Sequence, residues 1–505
     1  MTGCDHDESG GENSKLRIAI EAMPTQLDPR HAMDAHSSRV GSLVFASLVT
    51  VGRDGAYRPY LAEALPQCRD DLSCVFRLRE DFVFHDGTPV TSADVVATYH
   101  ALMDPGLASP RRSLLARVAG VSAPSPHEVV LQMAEPDATM LEAASVAVVP
   151  ARQAGLDVIP AEELVGCGPY RVSEVVDGSR VVLSAFEAFP DGEPAISTIE
   201  FAVVPDTLMR AMEVAHGTID FVQNAIDPDT TDWLEREHDD VVVYRGNSSN
   251  FQYLGVNIDH PVLADVRVRR AIAYSIDRRT IVRHVLEDQA VVATGLLPLQ
   301  HWAYSGDVRR YGFNPGRARR LLDRAGLVDP DGNGPRPRIV LSYKTTTDEL
   351  RRRIAEAFAA QLAAVGIELE ILSYEWGTFF SDIKRGNFHL YSLQWVGITD
   401  PDIYRWVFHS RMRPPAGNNR GGYRDALMDT LTDLGRVTGN REERRRIYAR
   451  VQRRAAGRLP YIPLWWPQRV VVTRERLIDF SPHPAGDLLE LRSARLRDRA
   501  VTEPQ

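Results

Sequence analysis

Helix-like and strand-like segments alternate through the second half of the chain, and this alternation limits the fold more than any other feature. Apolar residues stand four apart on one face between about Asp348 and Val365, which predicts a helix, with Thr346 as its N-cap and Glu349 as the capping partner. Gly366 stops this helix, and the alternating residues 367–372 predict a half-buried strand. Because strands separated by helices form a sheet covered by helices, this half predicts an α/β lobe.

The stretch FVFHDGTPVTSADVV combines a tight turn with a helix start. Asp86 and Gly87 predict the turn. Thr91 is placed as the N-cap of the helix, with Asp94 three residues further on as its capping partner. His85 and Asp86 are adjacent and ionisable, which raises the question of catalysis. No nucleophile-bearing motif lies near them, so we predict that both serve the turn.

Length and charge bound the class of protein. A chain of 505 residues predicts two or three domains, and 44% hydrophobic with 25% charged residues is the composition of a globular protein. The net charge of -9 argues against a nucleic-acid binder, which needs a basic surface to neutralise phosphates. No apolar run in the sequence reaches the roughly 20 residues that a membrane-spanning helix requires.

The common motifs for catalysis, cofactors and metals are missing from the sequence. There is no phosphate-binding P-loop, no G-x-S-x-G and no H-E-x-x-H. Residues 329–334, DPDGNG, imitate the start of a calcium loop, but Val340 stands where a bidentate Glu is required. We therefore predict no cofactor, no metal and no catalysis. A hydrolase whose acids are assembled in space is the alternative from a different class.

Three of the four cysteines bear on the compartment. Thr2 and Gly3 precede Cys4, and a polar, Gly-rich tether follows it; this resembles the end of a bacterial lipoprotein signal, in which the cysteine is lipidated. The alternative is an incidental cysteine in a flexible tail. Cys68 and Cys74 flank a hairpin turn, where a cross-strand disulfide and two reduced thiols are both open. A disulfide there would fit an oxidising compartment.

Eight stretches resemble, in the same order, the large solute-binding proteins of bacterial ABC importers that carry di- and oligopeptides, nickel and related solutes. These stretches are QLDPR, PYLAEAL, FRLREDFVFHDGTPVTSADVV, GCGPY, YLGVN, VRVRRAIAYSIDR, FNPGRARRLLDRAG and RRIYARVQRRAAGRLPYIPL. One such match is weak evidence. Eight in order identify the chain as similar to this family over about residues 16–490.

The resemblance implies an α/β fold of the bilobal periplasmic-binding-protein (Venus-flytrap) type with an extra accessory domain. The implied parts are a flexible tether at 1–15, lobe I at 16–47, 167–252 and 470–495, the accessory domain at 48–166, and lobe III at 253–469. The implied function is capture of a solute between two lobes and its delivery to an ABC permease with its ATPase. The protein is then expected to be an extracytoplasmic monomer, held at the membrane only by a lipid on Cys4.

The residues expected to bind the solute follow from their places in the resemblance. They are Ser249, Asn250, Tyr253, Trp376, Trp395, Val396, Gly397, Asp400, Asn419, Arg420 and Tyr423. Trp395 is expected to form an apolar wall, and the backbone of Val396 and Gly397 to offer hydrogen bonds. Arg420 is expected to pair with a carboxylate of the solute in bidentate fashion.

Ile398 departs from the family pattern. The resemblance implies an Asp at this place in peptide binders, where it pairs with the α-amine of the peptide. Either Asp400 takes over this role, or it only structures the loop beside Pro401 and the solute has no free amine at that point. A di- or oligopeptide is the leading solute. The alternative is a non-peptide solute such as a nickel chelate, an oligosaccharide or an opine-like compound.

Overall fold

The computed structural model describes residues 14–332 and 334–497. They form two compact units: the first contains the chain up to Gly246 and again from Arg469, and the second runs without interruption from Asn247 to Gln468. Cys4 lies outside the described residues. Lys15 begins the first strand, so the expected tether, 1–15, does not include it, and residues 1–13 lie outside the described residues.

The secondary structure comprises short strands and mostly short α-helices. The strands are β1 (Lys15–Ile20), β2 (Val49–Val51), β3 (Tyr57–Pro59), β4 (Gln67–Cys68), β5 (Ser73–Arg77), β6 (Val118–Ser125), β7 (Glu128–Met133), β8 (Tyr170–Val176), β9 (Arg180–Ala185), β10 (Thr198–Val203), β11 (Phe221–Gln223), β12 (Val241–Gly246), β13 (Phe251–Val256), β14 (Ala290–Val292), β15 (Ile339–Thr346), β16 (Ile367–Tyr374), β17 (Leu390–Trp395), β18 (Tyr461–Pro467), β19 (Arg469–Arg474), β20 (Leu477–Ile478) and β21 (Arg495–Leu496). The helices are α1 (Ala35–Val44), α2 (Ser92–Met103), α3 (Met140–Ala144), α4 (Ala151–Ala154), α5 (Thr207–His216), α6 (Pro228–Glu237), α7 (Val266–Ser275), α8 (Arg278–His284), α9 (Pro315–Arg324), α10 (Glu349–Ala363), α11 (Trp376–Arg385), α12 (Ile403–Phe408), α13 (Ala426–Val437) and α14 (Arg441–Arg458).

A seven-stranded sheet in the order β12-β19-β11-β1-β10-β9-β8 forms the centre of the first unit. β1 pairs in parallel with β10 and β11, and β19 lies antiparallel between β11 and β12. Ile18 and Ala19 are neighbours in β1 but pack into different hydrophobic cores, because successive side chains of a strand point to opposite faces. Both faces of this sheet are therefore buried, as the α/β prediction requires.

A four-stranded sheet in the order β4-β5-β7-β6 gives the first unit a further hydrophobic core, with α2 packed on β6 and β7. Both sheet and helix fall within residues 48–166, the segment expected to be the accessory domain. Thr91 caps α2 as predicted: its backbone N and its Oγ1 donate to Asp94 Oδ2 at 2.9 and 2.8 Å. Because Thr91 and Asp94 are only three positions apart, the start of this helix can be predicted from the sequence.

His85 ties the turn before α2 to the segment GCGPY. The N–H of Gly166 donates to His85 Nδ1 at 3.2 Å, and His85 Nε2 lies 3.1 Å from the carbonyl oxygen of Gly168. The ring therefore carries its proton on Nε2. Burial lowers the pKa of His85 to about 4, so the ring is neutral at ordinary pH. Asp86 serves the turn as predicted, because its Oδ1 accepts from the N–H and the hydroxyl of Thr88 at 3.1 and 2.7 Å; its other oxygen pairs with Arg152.

Gly166 and Gly168 are glycines because backbone passes directly over them. A Cβ on Gly166 would lie 1.9 Å from the carbonyl oxygen of Val44, and one on Gly168 would lie 2.4 Å from that of Leu43. The N–H of Gly168 donates to Val44 O at 2.9 Å, which satisfies a carbonyl at the end of α1. The segment GCGPY thus packs against the end of α1. His85 in turn forms hydrogen bonds with the backbone of Gly166 and Gly168 in this segment.

Cys68 and Cys74 lie opposite each other in β4 and β5 and form a disulfide. The turn between them contains Asp71, whose carboxylate accepts from the N–H and the hydroxyl of Ser73 at 3.0 and 2.6 Å. Cys167 is buried and free.

The second unit is built on a six-stranded sheet in the order β14-β18-β13-β17-β15-β16, with a hydrophobic core on each face. The predicted helix after β15 is present as α10, but its N-cap is Asp348, which accepts from the N–H of Arg351 at 2.9 Å. Thr346 does not cap it, because pairing with Tyr374 keeps Thr346 in β15. The boundary between the units also differs from the expected one: residues 247–252 belong with the second unit, since β13 pairs with β17 and β18.

Candidate functional site

Two neighbouring strands of the six-stranded sheet end side by side and bring predicted site residues together. β13 and β17 are antiparallel, with Phe251 opposite Trp395. Residues 248–250, which precede β13, therefore lie beside residues 396–398, which follow β17. Two loops that are far apart in the sequence thus form one edge of the second unit.

Hydrogen bonds join these two loops. The N–H of Ile398 donates to the carbonyl oxygen of Ser249 at 2.9 Å, and the N–H of Gly397 donates to Asn250 Oδ1 at 3.2 Å. Gly397 has a φ of +70°, which few other residues adopt readily. Its N–H is already bonded within the protein, so the backbone hydrogen bond to a solute expected here does not come from this group. Val396 projects from the loop with 62% of its surface exposed.

Arg420 lies between aromatic rings contributed by two other segments. Its guanidinium carbon is 5.2 Å from the ring centre of Trp395 and 5.1 Å from that of Phe380. Trp376 stacks on Phe380, with ring centres 5.3 Å apart and planes 9° from parallel, and it remains 53% exposed. We call Trp376, Phe380, Trp395 and Arg420 the Arg420 cluster.

Tyrosines form the buried layer beneath the Arg420 cluster. The ring of Tyr253 stacks on Tyr461 at 4.0 Å and on Trp395 at 6.2 Å, and Arg420 Nη1 donates to its hydroxyl at 3.4 Å. Burial alone lowers the pKa of Arg420, but the phenol groups of Tyr253 and Tyr391 outweigh it and the net pKa is raised. Arg420 is therefore a permanent cation held against a wall of rings. Tyr253 is fully buried and supports the Arg420 cluster from the interior of the protein.

The guanidinium of Arg420 has unused hydrogen-bonding capacity. Nη2 donates to Asn418 Oδ1 at 2.8 Å, but within residues 14–332 and 334–497 no carboxylate lies within 4.0 Å of the side chain. In the same part of the chain, the buried N–H groups of Arg420 Nε and Trp395 Nε1 have no acceptor. Unpaired buried donors are costly, so this arrangement suits a ligand with acceptor oxygens.

Asp400 does not fill the place left by Ile398. Both of its carboxylate oxygens accept hydrogen bonds from the guanidinium of Arg444, at 2.6 and 2.7 Å. The N–H of Asp402 also donates to Oδ1, at 2.7 Å. Only 7% of Asp400 is exposed. The expectation that Asp400 pairs with a solute amine is therefore corrected: it organises the loop beside Pro401, and Ile398 is itself buried.

Asn419 and Tyr423 also have internal roles in place of the expected contact with a solute. The amide nitrogen of Asn419 donates to the carbonyl oxygens of His409 and Tyr423 at 3.1 and 2.7 Å, and its oxygen accepts from the Tyr423 N–H at 2.9 Å. The hydroxyl of Tyr423 donates to Asp425 at 3.0 Å. Both side chains are buried and hold the loop that presents Arg420.

Phe380 belongs to the Arg420 cluster and was not among the predicted residues. It follows Trp376 by four positions in α11, the spacing at which two side chains share a helix face. Lys384 continues this row, with its nitrogen 5.2 Å from the ring centre of Phe380. The signal WGTFFSDIK was therefore present in the sequence, but it points to the site only once Arg420 is known to lie against it.

In residues 14–332 and 334–497, no three His, Cys, Asp or Glu side chains are grouped as metal ligands. No helix in that part of the chain combines the length and apolar character needed to cross a bilayer.

Comparisons with known proteins define the class. The family model of the bacterial extracellular solute-binding proteins, family 5, matches residues 56–412, and the chain belongs to this family. Its members are extracytoplasmic and bind peptides or other small ligands as components of ABC transporters, together with permease and ATPase subunits. The chain is thus the solute-binding component of such a transporter.

Individual relatives agree over nearly the whole chain. The oligopeptide-binding protein AppA of Bacillus subtilis is 24% identical over 504 residues, which cover 96% of this chain and 91% of AppA. The structure of AppA in complex with a nonapeptide matches with a TM-score of 0.81 at 23% identity, covering 96% of this chain and 99% of AppA. NikZ from Campylobacter jejuni, in complex with Ni(L-His), matches with a TM-score of 0.81 at 23% identity and the same coverage. These structures share the bilobal binding-protein fold.

Proposed function

We propose that this protein binds a di- or oligopeptide and that the Arg420 cluster contacts it. The observation that carries the proposal is the guanidinium of Arg420, which lies between the rings of Trp395 and Phe380 and has no carboxylate partner among the residues that the structure describes. A carboxylate of the peptide would form bidentate, charge-assisted hydrogen bonds with this group. The exposed faces of Trp376 and Val396 would cover apolar parts of the same solute.

The peptide is held in this proposal by its carboxylate and not by its amine. Asp400 is neutralised by Arg444, and Asp382, the acid on α11, accepts from Lys344. Hydrogen bonds from buried water tolerate varied side chains, so charge recognition at one point is compatible with a broad choice of peptides. AppA, whose structure contains a nonapeptide, supports a peptide as solute.

A carboxylate-bearing solute that is not a peptide is the second candidate. It is favoured by one observation: the buried Ile398 occupies the position where the resemblance implies an amine-binding Asp. NikZ binds Ni(L-His), which shows that this fold accommodates a compact chelate. Arg420 would serve such a solute in the same way, because the group that it recognises is still a carboxylate.

The test is native mass spectrometry of the purified protein, followed by denaturation and identification of any released molecule. A ladder of peptide masses would establish the peptide proposal. A single non-peptide mass would establish the second candidate. A protein that is empty and is stabilised by no member of a peptide library would overturn the first proposal, and libraries of chelates and organic acids would then be screened by thermal shift.

We further propose that binding involves no chemical turnover. The Arg420 cluster contains one cation and three aromatic rings, and none of these is a nucleophile or a proton acceptor at neutral pH. Incubating the protein with its solute should therefore leave the mass of the solute unchanged. Any product formed by the wild-type protein and not by the Arg420→Gln variant would contradict this.

The remaining proposals concern the state of the protein in the cell. We propose that Cys4 carries a lipid that holds the protein at the outer face of the cytoplasmic membrane, and that the protein is a monomer. The disulfide between Cys68 and Cys74 fits this oxidising side of the membrane. Replacing Cys4 by Ser should release the protein from the membrane fraction, and light scattering after size exclusion should give the mass of one chain.

A further inference from the structure

One cavity in the second unit has no role in the function described so far. It lies beside α8, residues 309–313 and the start of β18, and has a volume of about 640 Å³. Cavities of this size accommodate small molecules. Its lining includes five arginines: Arg278, Arg279, Arg283, Arg309 and Arg310.

The charge of the lining is almost entirely positive. Asp277 is the one acidic lining residue in the described part of the chain. Its carboxylate is engaged at the start of α8, where it accepts from the N–H and the hydroxyl of Thr280 at 3.2 and 2.9 Å. The protein as a whole carries a net charge of -9, so a basic cavity is opposed to its overall charge.

Four of these arginines lie at the surface of the protein. Arg279, Arg283, Arg309 and Arg310 are exposed, and no carboxylate within 4.0 Å pairs with them among residues 14–332 and 334–497. Guanidinium groups on different segments can approach one ligand from several sides. This geometry matches an anion with several oxygens, because each guanidinium offers two parallel donors.

Arg278 adds a buried positive charge to the wall. It is 8% exposed, and its guanidinium is held by the carbonyl oxygens of Pro463, at 2.7 Å, and Tyr311. These carbonyls satisfy its donors but do not neutralise its charge. Burial lowers the pKa of Arg278 to about 10, which still leaves it charged at neutral pH. A fixed charge in a low-dielectric wall strengthens attraction for anions in the cavity.

Aromatic side chains complete the lining. Phe313 is 50% exposed and borders the same cavity, and the guanidinium of Arg309 lies 5.5 Å above the ring of Tyr311. We propose that this arginine-lined cavity binds a small molecule carrying two or more phosphate groups, at a site separate from the Arg420 cluster. A single carboxylate would balance only one of the arginine charges, whereas a diphosphate would balance several.

The ligand chemistry could come from a free diphosphate or from the headgroup of an anionic lipid. The probe for the first source is inorganic pyrophosphate, measured by isothermal titration calorimetry with the intact protein. The probe for the second is flotation with vesicles of phosphatidylcholine, with or without cardiolipin, whose headgroup carries two phosphates. Saturable binding of one pyrophosphate per chain supports the proposal, and competition between vesicles and pyrophosphate assigns the site to the headgroup.

The decisive comparison uses two triple variants of equal charge. Arg279→Gln, Arg283→Gln and Arg310→Gln together remove three of the four exposed cations of the cavity, and we expect them to weaken pyrophosphate binding at least about 30-fold. The control replaces three exposed arginines of α14 that do not line the cavity: Arg445→Gln, Arg446→Gln and Arg450→Gln. The affinity of this control for pyrophosphate should stay within about twofold of wild type. Dissolved salt screens the attraction between the anion and charges that do not line the cavity.

Two results would overturn the proposal. One is a wild-type protein without saturable pyrophosphate binding at low ionic strength. The other is an equal loss of affinity in both triple variants, which would mean that the anion senses only net charge. Thermal unfolding of each variant, measured alongside, verifies that the folded protein is compared. Binding of the transported solute should be the same in all three proteins, which separates this site from the Arg420 cluster.

Discussion

The carboxylate of Asp400 accepts hydrogen bonds from both terminal nitrogens of Arg444, at 2.6 and 2.7 Å, in the interior of the second unit. Both side chains are about 6% exposed. Removing one partner leaves the other charge buried without compensation. We therefore predict that Asp400→Asn lowers the free energy of unfolding by about 3–5 kcal/mol.

Urea denaturation monitored by tryptophan fluorescence measures this effect. Asp307→Asn is the matched control, because Asp307 pairs with Arg453 at 2.8 Å at the surface, where the two side chains are 83% and 50% exposed. That exposed pair should contribute less than about 1 kcal/mol. If Asp400→Asn were as stable as the control but lost solute affinity, Asp400 would be a binding residue after all.

Asp402 should make the second unit less stable as the pH rises. Burial and the neighbouring Asp400 raise the pKa of Asp402 to about 7, above the value near 4 of an unfolded chain. Between these values the folded state binds more protons than the unfolded state, so stability is lost as the pH rises from about 4 through 7. Asp402→Asn cannot ionise and should flatten this dependence, gaining about 1–3 kcal/mol relative to wild type at pH 8 compared with pH 5.

Denaturation curves at pH 5 and pH 8 for both proteins test this prediction. The Asn side chain can still accept a hydrogen bond from the hydroxyl of Tyr448, which donates to Asp402 at 3.1 Å in the wild-type protein. A parallel pH dependence in wild type and variant would show that Asp402 is ionised throughout.

His85 should have the opposite effect in the first unit. Its pKa of about 4 lies below that of an unfolded histidine, near 6.5, so the unfolded state binds more protons in this window. Stability should fall as the pH drops from about 6.5 to 4, and His85→Gln should remove about 2–3 kcal/mol of this pH-dependent loss. His100→Gln, at an exposed position of α2, is the control. Equal slopes for all three proteins would contradict a buried neutral His85.

Arg420 should account for recognition of the solute carboxylate. Arg420→Gln keeps a polar side chain but removes the charge, and we expect affinity for the co-purified solute to fall about 10- to 100-fold. Arg420→Lys should retain part of it, because it keeps the charge without the bidentate fork. The control is Arg424→Gln, which removes a charge from the same loop where the arginine pairs with Asp259 at 3.0 Å. Calorimetry with the isolated solute distinguishes these outcomes, and an unchanged affinity in Arg420→Gln would exclude the cluster from the site.

Gly166 should not tolerate even one methyl group. The Cβ of Gly166→Ala would overlap the carbonyl oxygen of Val44, and the backbone of α1 cannot move aside cheaply. We expect a loss of more than about 3 kcal/mol or failure to fold. Gly155→Ala, where the added Cβ meets nothing within 4 Å, should be close to neutral. Similar melting temperatures for the two variants would show that the GCGPY segment is looser than the structure indicates.

What the sequence could predict depends on how local each determinant is. Thr91 and Asp94 are three residues apart and satisfy each other, so the start of α2 is readable without a structure. The start of α10 is not, because Thr346 and Asp348 are both suitable caps. Pairing of β15 with β16, a tertiary interaction, decides in favour of Asp348.

The Arg420 cluster was harder to predict from the sequence, because its determinants lie far apart in the chain. The resemblance pointed to Trp376, Trp395 and Arg420, which the structure brings together. It pointed equally to Asp400, whose partner Arg444 stands 44 positions away among many arginines. With only three lysines in the chain, arginine is also the default cation, so the arginines around the arginine-lined cavity do not stand out as a pattern. Only their arrangement in space distinguishes them.

The position of β19 has a consequence for how the protein is made. This strand lies between β11 and β12, yet it follows the entire second unit in the chain. As the polypeptide emerges, β11 and β12 have no common neighbour until residues 469–474 appear, by which time residues 247–468 are already complete. The unit that begins second is thus the first able to finish folding. The sheet of the first unit must wait, with its edges unpaired, for nearly the last strand of the protein.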